Sequence, residues 1–152
     1  MAAGTVTLYA KNKANFRLND LIGATVKLAL VGSGYSPDAS VTGHSVWADV
    51  SANEIAAVGG YIAQGKALAS MVATAIAGGY KFSSSDVAWA ATGADIPAHR
   101  YGVILVIGTL WGMTNPVIGY FVVDTTPADK PPTTNGNTLT HSCPAQGWFD
   151  IT

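Results

Sequence analysis

Thr25-Val26-Lys27-Leu28-Ala29-Leu30-Val31-Gly32-Ser33-Gly34-Tyr35-Ser36-Pro37-Asp38 decides how the rest of the chain is read. Val26, Leu28 and Leu30 alternate with Thr25, Lys27 and Ala29, the two-residue period of a strand that buries one face. Gly32-Ser33-Gly34 ends the strand, and Tyr35-Ser36-Pro37-Asp38 reads as a Pro-containing turn. Strand-like runs recur over Lys66 to Ile76, Tyr80 to Phe82, Val87 to Trp89, Arg100 to Ile107, Val117 to Asp124, Leu139 to Ser142 and Gly147 to Thr152. Gly, Pro and Ser punctuate them, which predicts a mainly β fold, a compact antiparallel β-sandwich of about seven or eight strands.

Two segments depart from that pattern. Ala14, Phe16, Arg17, Leu18, Leu21 and Ile22 stand at helical spacing, so one short N-terminal helix is expected over Lys11 to Leu21. Residues 39–60 form a long, polar, Gly-dotted connection with a helical turn expected near Trp47 to Ile55. A further polar stretch, Pro127 to Asn137, carries Asn135-Gly136 as the tip of a turn.

A chain of 152 residues is one domain, 1–152, by length. Its 8 basic and 9 acidic residues are scattered singly, and no basic, aromatic-interleaved patch suggests nucleic-acid binding. The charged fraction is 11%, against about 25% in ordinary soluble domains. Part of such a surface is therefore expected to be covered, by copies of the chain or by another protein. Cys143 is the one cysteine, so no intrachain disulfide forms and a reducing compartment of assembly is expected. The opening Met1 to Thr7 lacks the basic start and apolar core of a signal peptide.

Tyr101 to Val123 is 23 residues without a charge, long enough to span a bilayer. Asn115-Pro116 breaks it, four glycines weaken any helix, and its apolar residues are largely β-branched. Two adjacent buried strands joined by a loop explain it better than a membrane span. That joining loop, Gly108 to Asn115, places Leu110, Trp111 and Met113 at a tip, a surface of the kind found at protein contacts. The competing reading is that the loop folds back and closes one end of the core.

No constellation for chemistry emerges. His44, His99 and His141 are far apart in sequence, and His141-x-Cys143 lacks the second pair a structural zinc site needs. Ser142-Cys143-Pro144 carries no nucleophile signature, and Gly32-Ser33-Gly34 lacks the further glycine and helix of a phosphate cradle. Asp38, Asp49 and Glu54 do not match a calcium-loop spacing, and Glu54 stands three after Ser51 as in a capping box. Catalytic residues, cofactors and metals are therefore not expected. Trp89 and Trp148 are expected to pack in the core or at an edge, while Trp47, Tyr61 and Tyr35 pin the 33–65 connection onto the sandwich. Trp47 with Asp49 and Asn53 also leaves a lectin-like site in view.

Several of these words recur in a fixed order. Thr7 to Ala10, Thr25 to Asp38, Trp47 to Ile55 (WADVSANEI), Gly60 to Leu68 (GYIAQGKAL), Asp86 to Trp89, Ala98 to Ile104, Ile118 to Phe121 and Gly147 to Thr152 cover most of the chain. In that order they resemble a family of small tailed-phage virion structural proteins. The apolar Gly108 to Asn115 loop departs from the polar, charged connection typical there. The resemblance implies a structural part of a particle and not an enzyme. It points to a capsid decoration or cement protein, made in the host cytoplasm and seated on the virion's head. Its implied partners are other copies of itself, a homotrimer first, and the major capsid protein, with neither nucleic acid nor membrane. The contact residues expected are Leu110, Trp111, Met113, Trp47 and Tyr35. The alternative is a tail or fibre component with a receptor-binding, lectin-like role.

Overall fold

A computed structural model describes residues 5–124 and 129–152. In chain order its elements are β1 (Thr7–Leu8), α1 (Ala10–Lys13), α2 (Leu18–Ile22), β2 (Thr25–Val31), 3-10 turns at Trp47–Asp49 and Ser51–Asn53, β3 (Lys66–Ala67), β4 (Val72–Ile76), β5 (Gly79–Ser83), β6 (Val87–Ala90), β7 (Tyr101–Ile107), β8 (Thr109–Leu110), β9 (Met113–Thr114), β10 (Val117–Val122), β11 (Thr138–His141) and β12 (Phe149–Ile151). The fold is mainly β, and every strand pairing is antiparallel.

A five-stranded sheet, in the order β1-β10-β7-β2-β3, forms one layer of the sandwich. The three-stranded sheet β12-β5-β4 and the pair β11-β6 supply the other. Between them Leu28, Leu30, Ile104, Val106 and Phe121 of the large sheet pack with Phe82, Trp89, Leu139, Trp148 and Phe149. Each large apolar side chain so buried stabilises the fold by about 1.5–3 kcal/mol.

The large sheet is also covered on its other face, which changes the reading of β2. In register with β7, Leu28 lies opposite Ile104 while Ala29 lies opposite Val103. Ala29, Val31, Val103, Leu105 and Val117 form a second cluster under Tyr9, Tyr35, Trp47 and Val50. β2 is thus buried on both faces from Leu28 to Val31 and not on one. The 32–65 connection lays Tyr35 and Trp47 over this second face as a lid, while its Tyr61 packs into the sandwich core.

Two further expectations are corrected. The single N-terminal helix is two one-turn helices. Asn12 of α1 is buried beside Ser45 and Val117, whereas Leu21 of α2 joins the sandwich core; one straight helix cannot serve both places. The Lys66 to Ile76 run is two strands in different sheets, separated where Leu68 dives into the core and Ser70 takes φ +54. Among the described residues eight strands are three residues or longer, in line with the expected seven or eight, and four two-residue strands trim the edges and the 107–117 connection.

Tight backbone approaches fix this arrangement. Gly65 has φ +75, and a Cβ there would collide with the Leu28 carbonyl. Gly102 lies under the Phe121 ring, which occupies the space its Cβ would take. Of the Pro127 to Asn137 stretch, Pro127 and Ala128 lie outside the described residues. Asn135-Gly136 does form a turn, closed by the Asn137 N–H to the Thr134 carbonyl at 3.0 Å.

Candidate functional site

The Tyr101 to Val123 segment is two buried strands, β7 and β10, joined by the small β8-β9 hairpin. Trp111 and Gly112 form its tip with φ +53 and +75, a left-handed conformation that a tryptophan adopts at a cost of about 1–2 kcal/mol. The tip folds back. The Trp111 ring lies 5.4 Å from that of Phe16, and its Nε1–H donates to Asp20 Oδ2 at 2.9 Å. Leu110 and Trp111 pack against the core, and Met113 is half-buried. The hairpin therefore closes one end of the sandwich, leaving only part of each side chain for an outside contact.

Tyr35 and Trp47 are not on the surface at all. They are 3% and 5% exposed, because each fills the second face of the large sheet. As contact residues they are corrected to lid residues. Tyr35 Oη lies 2.6 Å from Tyr9 Oη and 2.8 Å from His44 Nδ1, a chain running from the buried face to a half-buried imidazole. Burial raises both tyrosines, Tyr35 to about 12, so both stay neutral phenols.

The acidic residues of the lid each hold backbone. Asp49 Oδ2 accepts the N–H groups of Ser45 and Val46 at 2.9 and 3.1 Å, which nucleates the Trp47–Asp49 turn. Burial raises the Asp49 pKa, but those two bonds outweigh it and the carboxyl falls below its ordinary value. Asp38 accepts the Ser40 N–H and is lowered by it. Glu54 does not close a capping box on Ser51. Its Oε1 accepts the Tyr61 hydroxyl at 2.7 Å and the Gln64 N–H, tying the end of the lid to the start of β3. With Trp47 buried and Asp49 occupied, no aromatic platform for a sugar stands beside Asn53.

One pairing has no local signal in the sequence. His99 and His141 are buried, with their Nε2 atoms 3.1 Å apart. His99 Nδ1 lies 3.2 Å from the Pro97 carbonyl, which accepts only, so Nδ1 carries the proton. The bare His99 Nε2 then accepts the Nε2–H of His141. His141 ends β11, which pairs with β6, while His99 stands before β7 in a bridge to Lys130, so the two rings meet only through the tertiary fold. Burial holds both imidazoles neutral, His99 near 4 and His141 near 3.

Among the described residues no three His, Cys, Asp or Glu side chains gather as metal ligands, and no helix is long and apolar enough to cross a membrane. Cys143 lies past the end of β11, with its Sγ 3.7 Å from the Pro144 carbonyl. Its N–H donates to Asp86, and burial pushes its thiol up. A groove of about 550 Å³ runs between the edge strands β1 and β12, lined by Val6, Leu8, Phe16, Trp148 and Ile151. Lys13 and Asp150 are the charged side chains among its lining. Compared with known proteins, the chain matches no family model, no curated protein and no solved structure.

Proposed function

We propose that the chain is a phage virion structural protein, a capsid decoration or cement protein that works by protein contacts. The observation that carries this is the ordered series of motif words running through the sequence. The fold gives those words a structural meaning. Tyr35, Trp47, Tyr61 and Trp89, the aromatics of four of them, are all buried and hold the lid and the core together. They specify a scaffold.

The surface supports the same reading. Val41, Val58, Ile62, Val72 and Tyr80 are exposed on a chain with few charges. Such positions gain stability when another protein covers them. A cement protein acts by bridging seams between shell subunits, where added buried area opposes expansion under internal pressure. The major capsid protein is the partner this implies.

Quantitative proteomics of purified, tail-free heads tests the proposal. A copy number comparable to the shell subunit is expected, together with heads that rupture more readily when the protein is missing. Recovery in isolated tails alone would assign it to the tail and overturn the head position. Recovery in neither would overturn the virion reading.

A further inference from the structure

β4 is the longest strand standing at a sheet edge among the described residues; no strand pairs with its outer side, and α2 is the helix that packs near it. Proteins usually protect such an edge with a charge, a proline or brevity. Other edges are shorter or charged: β1 and β3 are two residues long, β3 carries Lys66, β12 carries Asp150, and the uncharged β6 runs four residues against β4's five. β4 has neither protection. Its sequence is Val-Ala-Thr-Ala-Ile, and residues 67–80 around it hold no charge and no proline. Val72 and Tyr80 beside the edge are half-exposed.

We infer that β4 is a self-pairing edge, joining two copies of this chain through an antiparallel β4-β4 contact centred on Thr74. The register follows from the hairpin. Ile76 pairs with Gly79 across the two-residue turn Ala77-Gly78. The alternation that starts there directs the N–H and C=O groups of Ala73 and Ala75 away from β5. Across a two-fold axis at Thr74, Ala73 of one copy meets Ala75 of the other, and each pair exchanges two backbone hydrogen bonds. All four outward residues' groups are then satisfied.

The side chains fit the same register. Val72 comes opposite Ile76 of the second copy, an apolar pair on the face that also carries Thr74. The nearest charged side chain on that face is Lys81, one strand further in, opposite Thr74 and bonded to the Ala145 carbonyl. Two whole strands therefore separate the two lysines, so no like charges meet at the axis. The result is a continuous six-stranded sheet.

A two-fold contact closes on itself, so the assembly is a dimer and not the trimer expected from the sequence. The edge is short, and its area is well below the ~1,600 Å² of a standard stable interface. The dimer is accordingly weak and depends on concentration. The inference does not rest on the virion reading, since it concerns the isolated chain.

Light scattering and disulfide trapping on the full chain test it. Mass is expected to rise from one chain towards two as the concentration approaches about 1 mM. Thr74→Lys, which places two ammonium groups at the axis on a solvent-facing position, is expected to weaken the dimer at least tenfold with an unchanged circular dichroism spectrum. In a Cys143→Ser background, Thr74→Cys is expected to form an interchain disulfide at least tenfold faster than Val41→Cys, whose site is exposed but remote from the edge. A monomer at every concentration, a trimer, a dimer indifferent to Thr74→Lys, or equal trapping at the two cysteine positions would each overturn the proposal.

Discussion

His99 and His141, forty-two positions apart in sequence, share one hydrogen between their Nε2 atoms at 3.1 Å inside the fold. With His99 Nδ1–H held by the Pro97 carbonyl, a second proton on His99 has one place to go, and there it meets the His141 N–H head on. Arg100 is paired with Asp129 close by, and Lys130 pairs in backbone register with His99. Lys130 disfavours a further positive charge, and Asp129 only partly offsets it.

Stability is therefore expected to fall on the acid side. Both imidazoles have folded pKa values below the ordinary 6.5, near 4 and 3. The unfolded chain thus binds more protons as pH drops through 6.5, and the stabilisation present above that value is lost progressively towards pH 4. A loss of several kcal/mol follows from shifts of this size. Urea midpoints measured from pH 7.5 to 4 should be flat above neutrality and decline below pH 6.5. A flat profile down to pH 4 would contradict the buried pair.

The hairpin tip makes a prediction that runs against side-chain size. Trp111→Ala removes the Phe16 contact and the bond to Asp20 while leaving a Cβ at φ +53. A loss of about 2 kcal/mol is expected for a half-buried tryptophan. Trp111→Gly removes still more side chain, yet should be less destabilising than alanine by about 1 kcal/mol, because glycine adopts the left-handed region without strain. Thermal melts of the two variants decide it.

Tyr61 joins the lid to the sheet through one oxygen, which accepts the Leu30 N–H at 3.0 Å and donates to Glu54. Tyr61→Phe strands a buried amide near the C-terminal end of β2. It is expected to destabilise by about 1–3 kcal/mol. Glu54→Gln keeps an acceptor in place and should lose less. Hydrogen exchange should find the Leu30 amide specifically deprotected in the phenylalanine variant.

Gly102→Ala drives a methyl group into the Phe121 ring, which cannot retreat because it stacks on Trp148 at 5.6 Å. Overpacking of this kind costs about 1–3 kcal/mol. Combining it with Phe121→Leu should recover part of the loss, and a double-mutant cycle in urea measures the coupling.

Local chemistry made the framework legible. The alternation of Val26, Leu28 and Leu30, the β-branched Arg100 to Ile107 run and the broken apolar stretch to Val123 announce β2, β7 and β10. The aromatic words around Tyr35, Trp47 and Tyr61 announce a pinned connection. Boundaries that depend on which face an element serves were not legible. Asn12 and Leu21 both fall within the one helix expected over Lys11 to Leu21, but they belong on opposite sides of the large sheet, and only packing divides α1 from α2. The sequence leaves open whether the Trp111 tip stands free or folds back, because it does not reveal that Phe16 and Asp20 wait where the hairpin lands.

By itself, then, the sequence determined the class of the fold, its principal strands and the presence of a long lid. Hydrophobic period and turn residues act over a few positions, and that is enough to specify them. The tertiary structure alone decided that β2 is buried on both faces, that His99 meets His141, that Tyr35 and Trp47 are lid and not surface, and that β4 is left at an open edge. Each of these depends on which distant segments become neighbours, which is settled by closing the sheets on a shared core and not by any local preference of the chain.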